Sequence, residues 1–387
     1  MIDGIVTWAE IDLDAIAHNV QAFKQYVGEK VEVIAVVKAN AYGHGAVQVA
    51  KAALSVGSTR LAVHRLTEGI ELRRAGISAP ILIMGYTPPS GVELTVRYQL
   101  TPSLITLDFA EALSAQAVAQ GSTVHVHIKV DTGMNRYGLL PSEVLGFSRS
   151  LLKLPGLHLE GLFTHFATAD WMDPSFTYRQ LEDFNQVVAT LRSDHIQIPI
   201  LHSANTAATM RLQKTHLDAV RIGIGMYGLD PSGEWPPSFV LRPALSIKSI
   251  VSQVRNLPIG QGISYSRTYV TTKNTRVALV PIGYGDGYTR ILSNQGEVLI
   301  RGQRACILGR ICMDQFVVDV SGISGVKQDD EVVIIGRQGR DVIRAEEIAR
   351  LAGTINYEVT TSILPRVVRF YLRDGAVVYQ KNPENSL

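Results

Sequence analysis

The strongest constraint on the fold is a repeated alternation between two kinds of segment. From about residue 12 to 230, short apolar runs recur as VIAVV (33–37), LAV (61–63), PILIMG (80–85), PSLIT (102–106), VHVHIKV (124–130), LEGLFTHF (159–166), PILHSA (199–204) and AVRIGIG (219–225), eight in all. Longer amphipathic stretches separate them. Several close on a glycine where a helix ends in the left-handed conformation: Gly28, Gly57, Gly76 and Gly121. Asp14 is placed to cap the first, DAIAHNVQAFKQYVG. Eight strand–helix units in about 220 residues predict an α/β fold of the (β/α)8 TIM-barrel type, with a doubly wound sheet as the rival.

After about residue 238 the pattern changes. SFVLRPALSIKSIVSQVRNL, TRVALVPIGYGDGY, GEVLIRGQRACILGR, CMDQFVVDVSG and DEVVIIGRQ are strand-like and broken by glycine, and only RAEEIARLAG (344–353) reads as a helix. The expected division is a barrel over 12–238 and a mostly antiparallel β domain from 1–11 plus 239–387, with the boundary in Pro231–Pro237. IVTWAEIDL precedes the barrel and could pair with that second domain.

Composition narrows the function. Of 387 residues, 46% are apolar and 19% charged, and Lys+Arg 37 against Asp+Glu 35 leaves a net charge of +2. Nucleic-acid binding through a strongly basic surface is therefore not expected. Two cysteines cannot form a disulfide scaffold or a four-cysteine zinc site. No apolar run is long enough to span a membrane, and the first residues carry acids where a signal peptide carries bases, so a cytoplasmic protein is expected.

In a barrel, chemistry belongs at the ends of strands. Lys38 follows VIAVV directly, so it is either a rim lysine or a desolvated amine able to act as nucleophile or base. Tyr42, Gly43 and Gly45 follow it. In VHVHIKVD, His125, His127, Lys129 and Asp131 share one face, where a buried Lys129 would need an anion. His125 and His127 are expected to fill the barrel interior; a zinc-hydrolase reading of this pair lacks further ligands. Arg136 lies just beyond. His165 ends the sixth run. Asn205 and Thr206 open a helix after the seventh, either as phosphate donors or as a plain cap. Arg221, Gly223 and Ile224 end the eighth, and barrels often hold phosphate between these last two loops. The GIGMYG sequence at 223–228 is not a dinucleotide fingerprint, because it closes the series and no acid follows about 20 residues on.

AVVKANAYGHG, KVDTGMNRYG, HSANTA, RIGIGMYGL, ISYSRTY, PIGYGDGY, GRICMDQ and INYEVTT together resemble the alanine racemase family, over about residues 6–371. The resemblance implies a pyridoxal 5'-phosphate enzyme that interconverts L- and D-alanine, supplying D-alanine for peptidoglycan. Lys38 would carry the cofactor as a Schiff base and act as base on one face of the substrate. Tyr265, from the other subunit of a homodimer, would act on the opposite face. Tyr42, Asn205, Thr206, Gly223, Ile224 and Tyr357 would hold the phosphate, Arg221 would face the pyridine nitrogen, and His165 would pack beside the ring. Arg136, Met313, Asp314 and Tyr284 would meet or flank the substrate. Lys129 would be carbamylated, giving Arg136 its anion. No metal and no membrane partner is implied.

These residue types suit the chemistry. Racemisation needs two bases on opposite faces. A phenol serves at neutral pH only if cationic surroundings, expected from Arg221 and His165, lower its pKa. A permanently charged arginine disfavours protonating the pyridine nitrogen and so suppresses transamination. The competing readings are a broader alanine/serine racemase, a barrel-type decarboxylase, which would carry glutamate in place of Arg221, and a non-enzymatic cofactor carrier, which would lack the second domain. The departures from the family pattern are Thr206 where serine is usual, and His64 in AVHRLTEG.

Overall fold

A computed structural model describes residues 4–381. The chain forms two compact units, one of residues 16–41 and 46–242, the other of residues up to Ala15, Tyr42–Gly45, and the chain from Pro243 on.

In the first unit eight parallel strands follow one another around a sheet: β2 (Glu32–Val36), β3 (Arg60–Val63), β4 (Ile81–Ile83), β5 (Thr101–Leu104), β6 (Val124–Lys129), β7 (Leu157–Phe163), β8 (Ile200–His202) and β9 (Ala219–Ile222). Neighbours pair in sequence from β2 to β8, and β9 pairs with β2. The remaining gap is bridged at Asp218 N–H to Leu201 O (3.0 Å) and Arg221 N–H to Ala204 O (3.0 Å). The barrel is thus nearly closed, and each expected run supplies one strand. Val124, Val126, Ile128 and Val130 face outward into a core shared with helices Leu107–Ala119, Val144–Leu151 and Ser175–Ser193. The opposite face of β6 points inward and is polar. His127 and Lys129 are buried there, but His125, expected inside as well, is exposed. It sits at the start of the strand, where the barrel opens at its lower rim, beside Glu160 (3.4 Å).

The other unit is built on an eleven-stranded, mostly antiparallel sheet. Its strand β1 (Thr7–Asp12) lies antiparallel to Leu245–Ile250 and parallel to Val368–Arg373. The chain's first strand therefore belongs to the β unit. Two helices join this sheet: Ala345–Ala352, as expected, and Asn356–Thr361, which was not. In NYEVTT, Val359, Thr360 and Thr361 favour strands locally, and tertiary packing overrides that preference.

Helix α1 (Leu13–Val27) is capped by Asp12, not Asp14: the Asp12 carboxylate accepts the Ala15 N–H at 2.9 Å. Such a cap is worth about 1 kcal/mol. Asp14 lies in the first turn, where a negative charge suits the helix dipole. Among the described residues no helix is long and apolar enough to cross a membrane.

Candidate active site

Lys38 stands at the C-terminal end of β2, as its place after VIAVV required. Ala39, Asn40, Ala41 and Tyr42 then all take positive φ (52, 53, 53 and 52°), a left-handed turn made without glycine. Each such residue costs roughly 1–2 kcal/mol. Glu68 holds the turn in place: its carboxylate accepts the N–H of Ala39 at 2.6 Å, and those of His64 (2.8 Å) and Arg65 (2.9 Å). Burial lowers the Lys38 amine from its ordinary pKa, helped by Arg136 and opposed by Glu68. Desolvation of this kind favours the neutral amine that a nucleophile or base requires. His64, the residue that departs from the family pattern, directly follows β3. Its ring fills the space beside Gly85, where a Cβ would lie 2.6 Å from the His64 Cε1.

Arg221, on β9, is buried and surrounded by acceptors. It donates to the carbonyls of His202 (3.1 Å), Thr164 (2.8 Å) and Ser203 (2.9 Å), and to Nδ1 of His202 (2.8 Å) and of His165 (3.2 Å). Burial pushes the guanidinium down to about 9, while this ring of acceptors favours the charged form. His165 accepts from a group that can only donate, so its Nδ1 carries a lone pair. Burial and then the Arg221 charge hold it well below its ordinary pKa. His165 is therefore neutral, and the expectation that it adds positive charge is not met.

Lys129 is pushed down to about 8, first by burial and then by Arg221. Its amine donates to Tyr137 O (2.8 Å) and lies 5.7 Å from the centre of the Phe163 ring. Asp131 organises the loop that carries Arg136, accepting the N–H groups of Gly133, Asn135 and Arg136, each at 3.0 Å. Asn205 is the cap of helix Thr206–Arg211 through the Ala208 N–H (3.0 Å). The Thr206 hydroxyl accepts the Gly223 N–H at 2.9 Å, so the loops after β8 and β9 meet there. Ile224 begins a short 3-10 turn at the same point.

The β unit carries the other expected residues. Tyr42 is buried, its phenol driven up by desolvation, and its ring centre lies 6.0 Å from that of Tyr357 on helix Asn356–Thr361. Gly43 and Gly45 are required here, since a Cβ would strike the Thr360 carbonyl and the Tyr371 hydroxyl respectively. Tyr265 projects 69% exposed from a turn in which Ser264 and Ser266 have φ of 62 and 59°. Ser264 ties that turn to the segment carrying Met313 and Asp314, through Arg310 O (2.6 Å) and Cys312 Sγ (3.3 Å). Tyr284 joins the same segment by its N–H to Cys312 O (3.1 Å). Arg366 clamps Asp314 and Asp286, each at 2.7 Å. Tyr265, Tyr284, Met313 and Asp314 are thus gathered around one backbone segment. Glu68, Ser264 and Arg366 escaped the sequence reading, because each acts by holding backbone or a charge from a distant part of the chain.

A barrel with a desolvated lysine at the mouth of its first strand and a caged arginine on its last, joined in one chain to an antiparallel β unit, has the architecture of the barrel-type amino-acid racemases. The profiles of the alanine racemase N-terminal and C-terminal domains match residues 11–231 and 244–371. An alanine racemase of Carboxydothermus hydrogenoformans is 48% identical over 94% of this chain and 99% of its own. The crystal structure of the Bacillus anthracis alanine racemase with bound L-Ala-P superposes with a TM-score of 0.93, at 43% identity and 98% coverage of both chains. A histidine racemase from Leuconostoc mesenteroides superposes at 0.89, with 28% identity over 96% of this chain and 99% of its own. The chain belongs to the alanine racemase family, whose members are pyridoxal-phosphate-dependent isomerases.

Proposed function

We propose that this protein interconverts L- and D-alanine with pyridoxal 5'-phosphate as cofactor, and that the D-alanine serves cell-wall peptidoglycan. The observation that carries the reading is the Lys38 amine, desolvated at the end of β2 in the same barrel as the caged Arg221. The donors present suit the cofactor. An amine with a lowered pKa matches an aldehyde, and the meeting of the loops after β8 and β9, where the Gly223 N–H is held by the Thr206 hydroxyl next to Ile224, gathers the three residues assigned to a phosphate. Asn205, Tyr42 and Tyr357 are assigned to the same group, and His165 to the ring's side. When bound, the cofactor supplies an electron sink that stabilises negative charge at the substrate's α-carbon. Lys38 takes or returns the α-proton on one face and Tyr265 on the other. Arg221 presents a fixed positive charge to the ring nitrogen. Arg136 receives the substrate carboxylate, and Met313, Asp314 and Tyr284 border it. Exposed Tyr265, Tyr284 and Met313 support a homodimer in which a second copy covers them. Both cysteines are free, which supports a cytoplasmic location.

Borohydride reduction of the loaded protein, with peptide mass mapping and a D/L-alanine interconversion assay, tests the reading. The label is expected on Lys38; a label on another lysine overturns it. A structural neighbour 28% identical is a histidine racemase, which favours a broader specificity as the second reading. Competition between alanine and serine distinguishes the two.

Two further outcomes are expected. Glu68→Ala removes the acceptor that clamps the left-handed turn and should cost about 1–3 kcal/mol in urea unfolding, with slower labelling of Lys38. A carbamylated Lys129 places an anion beside Arg136 and Arg221, whereas a bare amine places a buried cation there. Lys129→Met is expected to lower Tm and raise KM. A higher Tm would show that a bare cation had been removed.

A further inference from the structure

A polar column runs inside the barrel, from Arg221 toward the N-terminal ends of the strands. Arg221 donates to His202 Nδ1 (2.8 Å); His202 Nε2 meets His127 Nδ1 (2.9 Å); His127 Nε2 meets Glu160 Oε2 (3.2 Å). Arg60 closes the lower end, donating to Glu160 (3.0 Å) and to Glu32 (2.8 Å). The direction of every bond follows from the two ends. A guanidinium only donates, so His202 Nδ1 accepts and its proton is on Nε2. His127 Nδ1 must then accept, and its proton is also on Nε2. An ionised carboxylate only accepts, which is what the last link requires. A second proton on either histidine would set two N–H groups against each other.

The surroundings are built for this column. The register of β6 against β7 shifts at Val126/His127. Opposite lies Gly161, where a Cβ would collide with the His127 ring. The Phe163 ring stacks on His202, with centroids 4.8 Å apart and planes 7° from parallel. Burial alone would raise the Glu160 carboxyl, but hydrogen bonds from His127 and Arg60 outweigh it and bring it to about 2, so it is ionised at neutral pH.

We propose that Glu160 is a positioning residue for the racemase: through His127 and His202 it fixes the orientation and donor strength of Arg221. Each neutral imidazole that donates at Nε2 becomes a better acceptor at Nδ1, so the carboxylate's influence is passed along the chain. The inference rests on the reading of Arg221 as the group that faces the cofactor's ring nitrogen.

The test uses the full-length loaded protein labelled with 15N-histidine, as wild type, Glu160→Leu and Glu160→Gln, with His127→Gln and His202→Gln to assign signals. Wild type should show both histidines neutral with protonated Nε2. Glu160→Leu should turn His127 into a tautomer mixture and lower kcat about 3- to 10-fold, the effect of roughly one hydrogen bond, with KM within about twofold. Glu160→Gln keeps an acceptor without the charge, and should retain the tautomers with a smaller loss of kcat. Unchanged tautomers or unchanged kcat in folded Glu160→Leu would overturn the proposal. If that variant does not fold, wild-type kcat in Glu160→Gln would do so. Absence of racemase activity in the wild type would refute the proposed function instead, because the tautomer spectra are read without turnover.

Discussion

Lys38→Ala lowers the rate of alanine interconversion by roughly 10⁴-fold or more, because one side chain supplies both the attachment and one of the two bases. Lys38→Arg is the sharper test. It keeps the length and positive charge but cannot lose its proton in the working pH range. If Lys38 served only as a cationic rim residue, the arginine variant would retain most of the activity. If it acts as amine and base, arginine fails as badly as alanine. Polarimetry in either direction reads the rate, and an arginine variant within tenfold of wild type would end the assignment. The stability of the variants serves as a control, since Glu68 still holds the Ala39 N–H and keeps the turn in place.

Tyr265→Phe separates the two faces of the reaction. The side chain is 69% exposed, so removing its hydroxyl should change folding stability by less than about 0.5 kcal/mol. A loss of rate is then chemical. Interconversion should fall about 10²–10⁴-fold, the range for removal of a general acid or base. In deuterated water the two enantiomers should part company: one still exchanges its α-hydrogen through Lys38 with retention of configuration, and the other does not. Equal exchange from both enantiomers would mean that a different group serves the second face. The turn itself should persist, since it is set by the positive φ of Ser264 and Ser266 and by the Ser264 hydroxyl on Arg310 O, none of which depends on the phenol.

Much of the barrel was legible because several of its parallel strands, such as β2 and β4, are covered on both sides and read as short apolar runs, while β6 shows a strict alternation. Helix ends marked by Gly28 and Gly76 were legible for an equally local reason, since both adopt positive φ. The left-handed turn after Lys38 left no such mark. Alanine, asparagine and tyrosine all carry a Cβ, and the clamp from Glu68, on a different strand–helix unit, helps to hold them there. The helix Asn356–Thr361 was hidden by its β-branched residues. Glu160 reads locally as one acid in an apolar run, because its partners come from β3 and β6.

Local pattern and side-chain chemistry were therefore enough to specify the order of the barrel strands, the β-rich second half, and the amine and guanidinium at strand ends, whereas the phenol was named only through the family resemblance. Both depend on neighbours along the chain, where spacing and residue type act directly. The protonation of the buried histidines, the ring of carbonyls around Arg221 and the backbone segment that gathers Tyr265, Tyr284, Met313 and Asp314 were decided only by folding. They depend on which donor faces which acceptor, and the partners involved are far apart in the chain and meet only in the assembled structure.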